Sequence, residues 1–295
     1  MANADDPLPD LIRSLRSPMP DSRARAARSL GRLGWLAKDS LPLLVSALCD
    51  ADASVREAAA QAIGQMGPEA LPHLVRMLGH DDKYVRRNSV WAIGKLGQLA
   101  KSAIGDLCTA LRDADPRTAA GAAQALGNMG TDASDAIPSL TEAMRGTNIV
   151  LCRLAAKALS QIGRPALPAL ISHLRHRDPF VRGEAALALG WMGPTAAAAV
   201  PSLIDTLRVA GRPVAVHESV PAGPDSRTPA TPVTSPQSNP APDELCRAYA
   251  AQALGRIGSA ASGAAAVLSQ AVADPNEHVS QSARTALKLI QAKGS

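Results

Sequence analysis

A thirteen-residue phrase, V-R-x-x-A-A-x-A-L-G-x-L-G, recurs along most of this chain, and that periodicity restricts it to a stack of like units before any other property is weighed. It reads SRARAARSLGRLG (22–34), VREAAAQAIGQMG (55–67), VRRNSVWAIGKLG (85–97), TAAGAAQALGNMG (118–130), LCRLAAKALSQIG (151–163), VRGEAALALGWMG (181–193) and CRAYAAQALGRIG (246–258). A decayed copy, VSQSARTALKLIQ, closes the series at 279–291. On the first glycine of the phrase the ruler is Gly31, Gly64, Gly94, Gly127, Ser160, Gly190, Gly255 and Lys288, with steps of 33, 30, 33, 33, 30, 65 and 33. One step therefore holds an insertion of about 32 residues.

Each phrase is preceded by a shorter apolar segment: Ser40–Leu48, Leu71–Leu78, Ala103–Leu111, Ile137–Met144, Leu167–Leu174 and Val200–Leu207. Leu and Val recur there at three- and four-residue spacing, the mark of a helix with one buried stripe. Pro42, Pro72, Pro138, Pro168 and Pro201 fall in the first turn, where the missing N–H costs nothing. Each unit is thus a helix A, a tight turn and a helix B. Asp52, Asp82, Asp115, Asp178 and Asp243 stand just before helix B, where a carboxylate accepts orphan N–H groups. Arg56, Arg86, Arg182 and Arg247 follow four residues later, spaced either to meet that carboxylate or to bridge neighbouring units. Gly34, Gly67, Gly97, Gly130, Gly163, Gly193 and Gly258 end helix B where a left-handed cap is wanted, and the earlier glycine lies inside the helix to permit close contact. Aromatics are only 2% and Phe180 is the one Phe, so Ala, Leu, Ile and Val must fill the core, and no sheet is expected.

The Pro of helix A, the Asp of the turn and the Val-Arg opening helix B resemble HEAT repeats, and the short 30–33-residue unit is similar to the phycobilisome-lyase HEAT-like subclass. The resemblance implies an all-α, right-handed α-solenoid of about eight HEAT-like helix pairs. Residues 1–208 would hold repeats one to six and helix A of repeat seven, and 244–295 helix B of repeat seven and the C-terminal repeat eight. Between them, 209–243 is rich in Pro, Ser and Thr and reads as a disordered insertion, with Thr228, Thr231 and Ser235 each followed by Pro.

The rest of the sequence removes several function classes. The N-terminal stretch is acidic and shows no Sec-type signal, and no apolar run is expected to approach the ~20 residues of a membrane span, so a cytoplasmic location is expected. Cys49, Cys108, Cys152 and Cys246 form no C-x-x-C pair and read as small packing residues. Enzymes resembling deoxyhypusine hydroxylase gather metal on several His-Glu dyads, whereas only His217-Glu218 occurs here. His80 and His176 occupy the end of helix A where other units carry Asp. Neither a phosphate loop, nor G-x-S-x-G, nor a kinase motif set accompanies the lone His176-Arg177-Asp178, so no catalytic residue, metal or cofactor is expected.

Helical phase supplies a candidate surface. If Val55, Ala59, Ile63 and Met66 are core, the opposite stripe holds Glu57, Gln61 and Gln65, and in the other units Arg28, Arg32, Arg87, Trp91, Lys95, Gln124, Asn128, Arg153, Lys157, Gln161, Leu187, Trp191, Gln252 and Arg256. In HEAT-like solenoids helix B lines the concave side, so these residues would share a groove. The stripe has seven cations and one anion, an excess of six against a net charge of +5 for the whole chain. The expected partner-binding set is Arg28, Arg32, Arg87, Trp91, Lys95, Arg153, Lys157, Trp191 and Arg256. Three functions stay open: a non-catalytic scaffold or adaptor for a protein partner with an acidic segment, a bilin-lyase-like enzyme or subunit, and a nucleic-acid binding or repair protein.

Overall fold

The computed structural model describes residues 7–208 and 242–292, and the insertion at 209–241 lies outside them. Among the described residues there is no strand, and sixteen helices alternate short and long. They are α1 (Leu8–Ser14), α2 (Pro20–Leu33), α3 (Leu41–Ala47), α4 (Ala53–Met66), α5 (Leu71–Met77), α6 (Lys83–Leu96), α7 (Ile104–Ala110), α8 (Pro116–Asn128), α9 (Ile137–Met144), α10 (Ile149–Ile162), α11 (Leu167–His173), α12 (Pro179–Met192), α13 (Val200–Arg208), α14 (Pro242–Ile257), α15 (Ala265–Ala271) and α16 (Glu277–Ala292). Odd-numbered helices are the A helices and even-numbered ones the B helices. The chain divides into two compact units, Met1–His173 and Leu174–Ser295.

Within each unit the B helices pack in series, α2 on α4, α6, α8 and α10 in the first and α12 on α14 and α16 in the second. An A helix of seven to nine residues is too short to persist alone. Beyond α1, each has a leucine at its centre: Leu44, Leu74, Leu107, Leu140, Leu170, Leu203 and Leu268 occupy equivalent positions and are all fully buried. Each such burial removes enough apolar surface to contribute about 1.5–3 kcal/mol. The B helices approach on small residues. A Cβ placed at Gly31 would lie 2.7 Å from the Ala62 Cα, and one at Gly255 2.7 Å from the Ala286 Cα, so the interior glycine is what permits the spacing.

The alternation of 33- and 30-residue steps has a structural cause. In the longer units a seven-residue 3-10 segment (34–40, 97–103, 130–136, 193–199 and 258–264) links helix B to the next helix A. In the two shorter units only three residues, Pro68–Ala70 or Arg164–Ala166, are 3-10. Three residues make one 3-10 turn, so the long units carry one extra turn, which the sequence reading does not anticipate. The glycine closing helix B has positive φ in all seven units, as the pattern predicts. Its ψ is extended rather than left-handed helical, −133° at Gly34 for example, because the chain turns directly into the 3-10 segment.

Three expectations are corrected. Asp243 lies inside the first turn of α14, not before it, so Pro242 and Asp243 belong to the helix rather than to the insertion. Cys49 is exposed instead of packed, with Sγ 3.7 Å from His80 Nε2, although Cys152 and Cys246 are buried as expected. The expected absence of a long apolar run fails too. Residues 185–204 carry no charged side chain, and the stretch Pro179–Arg208 contains an 18-residue window of mean hydropathy 1.4, which by length and composition is enough to cross a membrane. It is broken at Gly193 (φ +58°) into α12 and α13, whose Ala186, Leu189 and Leu203 are fully buried.

Candidate docking groove

The turn between A and B helices fixes the phase of α4, α6, α8, α10 and α12. Asp52, Asp82, Asp115 and Asp178 accept backbone N–H groups of Ser54, Tyr84, Thr118 and Phe180 at 2.8–2.9 Å, and Asn148 does the same for Val150. Two residues upstream, Asp50, Asp113 and Asp274 accept the N–H of the capping residue itself. His80 and His176 stand at that position and do so through Nδ1, taking the N–H of Asp82 and Asp178 at 3.0 and 3.1 Å. These histidines are thus turn residues. The arginines four residues past the cap bridge repeats: Arg23 holds Asp50, Arg86 holds Asp113, Arg182 holds Asp243 and Arg247 holds Asp274.

With the phase so set, Val55, Ala59, Ile63 and Met66 are buried, and the opposite stripe faces outward. In the first unit Arg28, Arg32, Glu57, Gln61, Gln65, Trp91, Lys95, Gln124, Asn128, Arg153, Lys157 and Gln161 are exposed and Arg87 is half-buried. In the neighbouring register Arg25 is exposed, but Ala58 is buried and Asn88, Gly121 and Leu154 are half-buried. Because α2, α4, α6, α8 and α10 stack in order, the exposed set lies on one face of that unit. Trp191 and Arg256 are exposed as well, but they belong to the second unit. The stripe thus has one set of residues in each unit.

The first set deepens into a trough of about 320 Å³ on α6, α8 and α10. α8 carries Ala120 where α4, α6 and α10 carry Glu57, Arg87 and Arg153, and Gly121 beside it has no side chain, so the surface sinks between Trp91 and Leu154. Its rim holds Arg87, Lys95, Arg117, Gln124 and Asn128, and no carboxylate lines it. Lys95 Nζ sits 4.9 Å over the Trp91 ring, which stays 41% exposed. Arg87 contacts both oxygens of Asp115 at 3.3 Å, while its Nε is buried with no hydrogen-bond partner. Burial pushes the Asp115 carboxyl up, but the Thr118 hydroxyl and N–H and the Arg87 charge outweigh it and hold the group below the usual carboxylate range. Asp115 is therefore an anion that offsets Arg87 and adds to the field at Arg86. Among the described residues neither Lys95 nor Arg117 has a carboxylate at ion-pair distance.

Beside the trough lies a cluster that sequence reasoning missed. The Tyr84 ring is faced by Arg56, Arg87 and Lys83 at 4.9, 5.2 and 5.5 Å. Arg56 is there because His80 replaces the aspartate its counterparts grip. Like Arg86 it donates to the carbonyls of its own turn, Asp50 and Ala51 at 2.6 and 2.8 Å, but with no aspartate to grip its guanidinium lies against the ring.

In the second unit Arg256 borders a depression of about 330 Å³ along α14 and α16, where Gln252 donates to Ser282. A larger cavity, about 470 Å³, is lined by Arg182, Asp205, Cys246 and Arg247. Both its buried-side arginines are already ion-paired, and burial pushes the Cys246 thiol up, away from nucleophilic use. Among the described residues no three His, Cys, Asp or Glu side chains are grouped to hold a metal ion.

Fold and site together define a helical-repeat solenoid that presents an exposed B-helix face. The chain belongs to the HEAT repeats family, which matches residues 8–94, 76–150 and 137–219. No curated protein matches it. Among solved structures, YibA of Escherichia coli is 19% identical with a TM-score of 0.50, covering 97% of this chain and 92% of that one. An engineered protein is 21% identical with a TM-score of 0.46, covering 98% and 82%. The complex of CpcE and CpcF of phycocyanin lyase from Nostoc sp. PCC7120 is 21% identical with a TM-score of 0.43, covering 99% and 97%. At these identities the likeness is one of fold.

Proposed function

We propose that this protein is a non-catalytic scaffold that holds another protein on the B-helix face of its first unit, through an acidic segment of that partner. HEAT repeats in general mediate protein interactions. The observation that carries the reading is the exposed stripe of Arg28, Arg32, Lys95, Arg153 and Lys157 with Trp91 among them, opposed by Glu57 alone. Buried hydrophobic stripes account for the stacking, so packing alone does not require a cationic stripe on the exposed side of these helices. A half-exposed Trp beside cations combines apolar contact area with charge, the composition found at protein interfaces.

The test is affinity capture with a variant carrying Glu at Arg28, Arg32, Lys95 and Lys157, positions chosen because, unlike the half-buried Arg87, they are exposed. Loss of the partner with an unchanged melting temperature is the expected result. Equal recovery by variant and wild type overturns the assignment.

A further inference from the structure

The trough on α8 deepens the proposed function, on which it rests, by specifying what the partner's segment must contain. We infer that it receives an extended acidic peptide carrying one large apolar side chain, which enters between Trp91 and Leu154 while flanking carboxylates meet Lys95 and Arg117.

Three observations lead there. The depression lies between two taller neighbours: the position of Ala120 is Arg87 on α6 and Arg153 on α10, and Gly121 beside it sits so close to Val90 that an added Cβ would lie 3.0 Å from Cγ1. Its inner surface is apolar, made by Val90, Ala120, Gly121, Ala125 and Leu154, and its about 320 Å³ suits one or two side chains rather than a folded domain. Its rim is cationic without any lining carboxylate, and the Lys83, Arg56 and Arg87 cage on Tyr84 continues the positive field past one end. Apolar floor and cationic rim together select an amphipathic anion, so neither a purely acidic nor a purely apolar segment satisfies both. Gln124, exposed on the same rim, offers an amide that can pair with an extended backbone.

The repeat itself supplies a variant that should fold. Ala120→Arg places at this position the residue that α6 and α10 already carry there, filling the trough while adding positive charge. The probes are short fluorescein-labelled Glu/Ser peptides with a central Ala, Leu or Phe, and the same peptides with Gln for Glu, titrated by fluorescence anisotropy. For wild type, the Leu or Phe peptide should bind at least tenfold more tightly than both its Ala and its Gln counterparts. In Ala120→Arg, that preference for Leu or Phe over Ala should disappear while the preference for Glu over Gln remains. If the variant keeps the anchor preference, the apolar side chain docks elsewhere, and the inference fails while the scaffold reading stands. If wild type binds Glu and Gln peptides equally, or neither, both fail.

Discussion

Arg86 spans one repeat to grip both oxygens of Asp113, Nε to Oδ2 at 2.7 Å and Nη2 to Oδ1 at 2.9 Å, while its Nη1 takes the carbonyls of His80 and Asp81 at 2.8 Å each. The same side chain thus closes its own turn and ties it to the next. Arg86→Ala should destabilise the first unit, and a double-mutant cycle with Asp113→Asn should return a coupling of about 1 kcal/mol that shrinks with added salt. Strict additivity in urea unfolding would contradict this tie.

Arg56 lacks such a partner because His80 stands in the aspartate's place. His80→Asp should complete the series, keep the capping contact to Asp82 N–H, and raise stability by a few tenths to about 1 kcal/mol. A lowered melting temperature would show that His80 does more than imitate the carboxylate's role in the turn.

Acid should act through these turns. The Asp50 carboxyl is held low chiefly by its hydrogen bond to Arg23. At Asp113 burial pushes upward, yet the bonds from Arg86 and from the Asp115 N–H prevail and the net direction is again down. A carboxylate whose native pKa is depressed stabilises fully above its unfolded value of about 3.9, and that contribution is lost as pH falls through the lower native value. Urea midpoints of wild type should therefore be steady above about pH 5 and decline below about pH 4. Asp113→Asn should decline less, and parallel curves would exclude Asp113 as a source.

Glycine positions divide by what surrounds them. Gly31→Ala and Gly255→Ala force a Cβ to within 2.7 Å of a neighbouring backbone and should cost about 1–3 kcal/mol by overpacking. Gly105, inside the first turn of α7 with nothing within 4 Å, should tolerate Ala or gain up to about 1 kcal/mol. Thermal melts that rank these the other way would refute the close-approach role of the interior glycine.

The repeat pattern made the helix pairs, capping aspartates, A-helix leucines and closing glycines legible, because each recurs at a fixed place in the phrase. The extra 3-10 turn was present in the sequence as the 33- and 30-residue steps, but a step length does not say which connection absorbs it. The outward stripe was readable since Val55, Ala59, Ile63 and Met66 fixed the phase. The trough was not, because it depends on what Ala120 and Gly121 lack between the taller side chains of α6 and α10. Nor was the Tyr84 cluster, which arises from Arg56 having no aspartate to hold. The division into two units separates Trp91 from Trp191, and no periodic feature of the sequence marks it.

Site-specific photo-crosslinking in the native cell would distinguish a docking face on the B helices from a merely solvated one. A benzophenone side chain would replace Gln61, Gln124 or Gln161 on the B-helix face, or His73, Thr109 or Glu142 on exposed A-helix positions of the same unit. A common protein adduct is expected from the three B-helix positions, weakened when Arg28, Lys95 and Lys157 are reversed in charge, and none from the A-helix positions. Adducts confined to the A helices, or a B-helix adduct indifferent to charge reversal, would contradict a docking face on the B helices.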